Sequence, residues 1–129
     1  MGMIKTLKRY CDVKKIVMKP YDFVCHHREN IYYIKAIRFS GGAIITFYSR
    51  NHLSIKSGKV KNGRFITKKE RILRLDGFAD IKQGVILFDK EPFKILEQLN
   101  ESDIVEITGN KVHHYHLISK EEDLIALLD

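Results

Sequence analysis

Nine side chains between positions 50 and 71 carry the most suggestive chemistry in this sequence. Arg50, His52, Lys56, Lys59, Lys61, Arg64, Lys68, Lys69 and Arg71 lie within 22 positions, and Glu70 is the only acid among them. Binding a phosphodiester requires cations and backbone donors that displace its counterions, and nothing more. Cations spaced around the turn signals Gly58 and Asn62-Gly63 suit backbone contact better than base reading, and no recognition helix is expected here. The nucleic-acid-binding residues expected are therefore Arg50, Lys56, Lys59, Lys61, Arg64, Lys68, Lys69 and Arg71. Aromatic interleaving is thin. Phe47 and Phe65 are assigned to the core, which leaves Tyr48.

Two further constellations are weaker. His26-His27 and His113-His114-Tyr115-His116 are the histidine clusters, and on a strand His114 and His116 would share a face. Zinc needs three or four ligands, and no CxxC or HExxH accompanies them, so neither a metal nor a cofactor is expected. Asp22, followed eleven positions later by Tyr33-Ile34-Lys35, matches part of the PD-(D/E)xK nuclease frame. That chemistry needs two carboxylates around a metal that activates water. Tyr33 stands where the second would be, so the match is either a degenerate version without hydrolytic activity or chance.

Charge along the whole chain points the same way as the basic cluster. Residues 1–75 carry a net charge of +14 and residues 76–129 a net of −7, which together give the formal +7. A basic surface beside an acidic one gathers a polyanion on one side and repels it on the other. A non-catalytic module that binds nucleic acid, DNA before RNA, follows as the expectation. One alternative is the degenerate nuclease; the other is a protein–protein module, a phage-encoded inhibitor or a self-associating subunit, in which the acidic end meets a protein partner or a second copy. Glu101, Asp103, Glu106, Glu121, Glu122 and Asp123 would supply that face.

At 129 residues the chain is read as one α+β domain over 1–129, long enough to bury a core. Cys11 and Cys25 read as free thiols of a reducing compartment. No apolar run of signal or membrane-spanning length is present, and lysines punctuate the first fifteen residues. A soluble, cytoplasmic protein with no membrane partner is expected.

The elements that must hold these residues are mostly strands. Met3 to Val17 fits a basic amphipathic helix, with a strand from Lys15 as competitor. Asp22–His27, Ile31–Arg38 and Ala43–Tyr48 read as strands, and Tyr32 and Ile34 share one face of the second. A basic loop follows from Ser49 to Arg71, with a short hairpin across Asn62-Gly63. Phe78–Ile81 and Val85–Phe88 are further short strands. Asp89 caps a helix over Lys90–Leu99, with Phe93, Leu96 and Leu99 as its stripe. Ile104–Thr108 and Val112–Ile118 pair as a hairpin across Gly109-Asn110. Ser119-Lys120-Glu121-Glu122 forms a capping box for a last helix that buries Leu124, Leu127 and Leu128. The sum is mainly antiparallel sheet with two short helices in the C-terminal half.

The order of several of these segments resembles a known domain. They are Ile31-Tyr32-Tyr33-Ile34-Lys35-Ala36-Ile37, the basic stretch ending in Phe65-Ile66, Ile72 to Asp80, Gly84-Val85-Ile86-Leu87-Phe88, and Phe93-Lys94-Ile95-Leu96. The pattern resembles the domain of KwaB, the DNA-binding component of the Kiwa anti-phage system, over about residues 31–99. The resemblance implies DNA binding in phage–host conflict without catalysis. It departs in length, and in having Phe78-Ala79-Asp80 where the family has aspartate before phenylalanine.

Overall fold

A computed structural model describes residues 2–16, 20–75 and 83–129. The expected strand over Phe78–Ile81 and the Asp76–Asp80 part of the KwaB-like pattern lie outside the described residues. The chain is α+β: mostly strand, with one short helix at each end. Helix α1 (Gly2–Tyr10) buries Ile4 and Leu7, and strand β1 (Asp12–Lys15) follows it. The helix expected over Met3–Val17 stops at Tyr10, and the strand expected from Lys15 onward instead runs over Asp12–Lys15 and ends there.

β2 (Phe23–His27) and β3 (Asn30–Ile37) pair antiparallel around a tight turn in which Arg28 takes φ 55°. β4 (Gly42–Ser49), β5 (His52–Lys61) and β6 (Arg64–Arg74) form a meander. After β7 (Gly84–Phe88) come β8 (Lys94–Gln98), β9 (Ile104–Glu106), β10 (Lys111–Val112), β11 (Tyr115–Ile118) and helix α2 (Glu121–Leu128). A six-stranded sheet has the order β1-β2-β3-β7-β11-β10, and a five-stranded sheet the order β6-β5-β4-β8-β9. Pairing is mainly antiparallel. The exceptions are β3 and β11, each parallel to β7, and β8, parallel to β4.

Strand alternation sorts the apolar residues into two cores. Ile37, Ile45, Phe47, Leu53, Ile55, Ile86, Phe88 and Leu117 fill the space between the sheets. Ile34, Val85 and Leu87 point the other way, onto Ile4 and Leu7 of α1 and Leu124 and Leu128 of α2. The result is three layers: helices, six-stranded sheet, five-stranded sheet. The His27 ring nitrogens lie 3.0 Å from the Tyr10 carbonyl oxygen and 2.8 Å from that of Leu128, so one side chain meets the ends of both helices.

Five expectations are corrected. The segment 90–99 is not a helix but holds strand β8, Lys94–Gln98, because parallel pairing to β4 sets its backbone. Two residues of the supposed stripe, Phe93 and Leu99, are 42% and 59% exposed. The Gly109-Asn110 hairpin does not form: β9 joins β8 in one sheet, while β10 pairs with β11 in the other. Lys120 is the N-cap of α2 and makes no side-chain cap bond. The Glu121, Glu122 and Asp123 carboxylates favour this helix start by facing the positive end of its dipole. Cys11 and Cys25 are not free thiols but a disulfide with Cα atoms 6.3 Å apart. The pairing of β1 with β2 sets Val13 opposite Cys25, which brings Cys11 within reach. The pairing removes the free thiols on which the reducing compartment was inferred. Finally, the basic loop is no loop. It is the long hairpin β5–β6.

Candidate nucleic-acid interface

The hairpin is built by local chemistry. Asn62 and Gly63 both have positive φ, 54° and 76°, the geometry of a two-residue turn whose twist matches its strands. Farther down, Ser57 faces Lys69 and Gly58 faces Thr67, so Lys68 is an extra residue, a β-bulge. A bulge bends its strand and re-aims a side chain. In a regular strand Lys68 and Lys69 would face opposite ways. Here both line one groove.

Two glycines let the walls of that groove approach. A Cβ on Gly58 would lie 1.9 Å from the Ile66 carbonyl oxygen, which no side chain can occupy. Gly41, with φ +69°, passes so close that a Cβ there would lie 2.6 Å from the Gly58 carbonyl oxygen. The β3–β4 connection therefore runs directly against the bulge.

The groove between them has a volume of about 500 Å³. Arg38, Lys59, Lys68, Lys69 and Arg71 line it, with Phe39 at its wall and Glu70 as the only acid. The Arg71 guanidinium donates to the Arg38 carbonyl oxygen at 2.9 Å, which holds the two walls together. Lys90 Nζ lies 5.4 Å from the Phe39 ring centroid. Lys59, Lys68 and Lys69 have no ion pair within the described residues. Such cations remain available to a phosphate oxygen.

The eight expected residues divide among four places. Lys59, Lys68, Lys69 and Arg71 meet at the groove. Lys61 and Arg64 pair beside the turn at the hairpin tip, both exposed. Lys56 is cross-strand from Glu70 in β5 and lines no part of the groove. Arg50 sits in the β4–β5 turn at the opposite end, where its carbonyl oxygen accepts from Tyr115 Oη at 2.9 Å. Arg38 was missed. Only the close approach of the β3–β4 connection to the bulge brings it in. Phe65 is half-buried on the hairpin rather than in the core, with its ring stacked on Phe93 at 5.7 Å.

The other constellations resolve differently. His113 and His114 have φ 48° and 74° and form the turn between β10 and β11, so His114 and His116 do not share a strand face. Histidine tolerates this left-handed region better than most residues. His113 Nε2 lies 3.0 Å from a Glu97 carboxylate oxygen. Burial, then the Lys111 charge, lowers the His116 pKa from its ordinary value. Among the described residues no three His, Cys, Asp or Glu side chains are grouped to hold a metal ion. Asp22 and Lys35 do meet, at 3.3 Å, as in the nuclease frame. Asp22 Oδ2 also accepts from the Ala36 N–H at 2.8 Å, and Tyr33 packs on Tyr21 with ring centroids 5.1 Å apart. The Asp22 carboxylate is thus engaged by two donors, and Tyr33 stands where the nuclease frame places its second acid.

The acidic residues do not make a bare counterpart to the groove. Glu91, Glu106 and Asp123 line a cavity of about 550 Å³, but Lys94 and Lys120 line it too. Lys120 Nζ is 3.4 Å from Glu91. Among the described residues no helix is long and apolar enough to cross a membrane. No family model, curated protein or solved structure matches this chain.

Proposed function

We propose that the chain is a non-catalytic module that binds the phosphodiester backbone of nucleic acid, DNA before RNA. One observation carries this reading: five cations from two separate parts of the chain converge on one groove that holds a single acid. Arg38 comes from the β3–β4 connection and the other four from the hairpin, so the cluster is not merely a run in the sequence. Lys61 and Arg64 continue it toward the tip. From that tip to the Ile55–Arg71 pair the hairpin covers about 20 Å at about 3.3 Å per residue. The same length spans about six phosphates of one strand. A phage–host setting is supported by the KwaB-like pattern alone.

Fluorescence anisotropy across a salt series tests the reading. With about five phosphates neutralised, the log–log slope for duplex DNA is about −4 to −5. Replacing Lys59, Lys61, Lys68 and Lys69 with Ala weakens binding and flattens that slope by about one per phosphate-contacting lysine, with the fold intact. No binding at low salt, or equal binding by this variant, defeats the proposal. The self-association alternative requires an acidic face that attracts the hairpin of a second copy. Lys94 and Lys120 within the acidic cavity weaken that attraction.

A further inference from the structure

We infer that the tip of the β5–β6 hairpin enters the major groove of B-form DNA and contacts base edges, while the cations behind it hold the flanking backbone. The inference rests on the reading above and narrows it to one form of nucleic acid.

Reach is the first argument. β4 starts pairing at Gly42 opposite Gly58, and beyond that point β5 and β6 pair only with each other. The pairs Lys59–Ile66, Val60–Phe65 and Lys61–Arg64 therefore form a two-stranded ribbon with no further strand beside it, braced against the body through Phe65. Three residues at about 3.4 Å each carry its tip about 10 Å along the ribbon beyond the last β4 pair. The major groove is about 8.5 Å deep and admits a two-stranded ribbon.

Rigidity is the second. The turn at Asn62-Gly63 has the geometry that suits a hairpin, and the Phe65 ring is stacked on Phe93 of the body. The ribbon is thus held out in one direction before any ligand arrives. Its faces also differ. Alternation places Lys59, Lys61 and Arg64 on one face, continuous with the groove, and Val60 and Phe65 on the other.

Residue type is the third. Lys61, Asn62 and Arg64 are exposed at the tip. Lysine and arginine donate to guanine O6 and N7, and asparagine pairs with adenine N6 and N7. The groove cations, set back from the tip, are of the type that positions by phosphate contact. An A-form duplex excludes the ribbon, because its major groove is deep and too narrow for side chains to read.

The test compares three probes of one sequence with the full chain: a short DNA duplex, the RNA duplex, and the single DNA strand. Binding to the DNA duplex is expected to be at least about tenfold tighter than to the RNA duplex, the discrimination that base contacts supply. Lys61→Ala combined with Arg64→Ala is expected to cut that preference to within about threefold, because DNA-duplex binding loses base and backbone contacts while single-strand binding loses only the smaller backbone share. Retained single-strand binding also reports that the groove is still folded. Equal affinity of the wild-type chain for the two duplexes overturns the inference and leaves backbone binding standing. An equal loss on all three probes in the variant does the same, since it marks the tip as one more phosphate contact. Failure to bind any probe overturns both proposals.

Discussion

The two sheets treat their faces differently. The six-stranded sheet is covered on both sides, and its central strand β7 is buried from Gly84 to Phe88. The five-stranded sheet is covered on one side only. Its inner residues Ile45, Phe47, Leu53 and Ile55 are core, yet β6 and β9 contain no buried residue. β6 is the longest strand, at 11 residues, and packing asks little of it. Its sequence is therefore free to be selected by what lies outside the molecule. Lysines on an exposed edge also discourage pairing with another sheet. Edge protection does not explain Arg38, which comes from the β3–β4 connection to the same groove.

Stability measurements can break this contrast. Phe88 is 0% exposed and belongs to the core between the sheets, whereas Ile72 on β6 is 52% exposed. Phe88→Ala is expected to cost about 3–5 kcal/mol. Ile72→Ala is expected to stay within about 1 kcal/mol. Urea unfolding of both variants checks this, and similar losses would remove the distinction. Next in size is the Cys11–Cys25 bridge, which spans a sequence separation of 14. Closing a loop of that length contributes about 3 kcal/mol. Reductant should lower the unfolding midpoint while DNA binding by the folded protein stays unchanged, because the bridge belongs to the helical layer and not to the groove. A midpoint that ignores reductant counts against the bridge. The smallest effect sharpens the comparison on the open side. Gly58→Ala forces the hairpin arms apart at the Ile66 carbonyl and is expected to cost about 1–3 kcal/mol. Its loss of DNA affinity should exceed that of Ile72→Ala, because it displaces Lys68 and the ribbon together. Unaltered affinity would mean that the bulge does not position the site.

What was legible in the sequence was what local physics decides. The alternation of Tyr32 and Ile34 against Tyr33 and Lys35 showed the two faces of β3, and the structure covers both, Tyr32 and Ile34 toward the helices and Tyr33 and Ile37 toward the second sheet. Asn62-Gly63 gave the hairpin its turn, since few residue pairs accept two positive φ values. The basic cluster was visible because its members are neighbours in sequence. What failed depends on distant partners. Phe93, Leu96 and Leu99 are spaced as a helix stripe, and only the presence of β4 alongside makes the segment a strand. Nothing between Ile104 and Ile118 indicates that its strands divide between two sheets. Arg38 and the cysteine pair are brought into place by register, which single-residue patterns do not encode.

The position of β7 has a consequence for how the protein is made. Its neighbours in the sheet are β3, which ends at Ile37, and β11, which begins at Tyr115. The middle of the molecule thus joins segments far apart in the chain, and long-range parallel pairing is slow to form. The β5–β6 hairpin needs only its own turn. During synthesis from the N-terminus, the basic ribbon is complete before the strand that closes the centre has been added. A chain stopped short of Tyr115 carries every cation of the groove but lacks one of the two neighbours that hold β7. Such a fragment can still attract a polyanion through its charge, but it lacks a finished core to hold the ribbon in place.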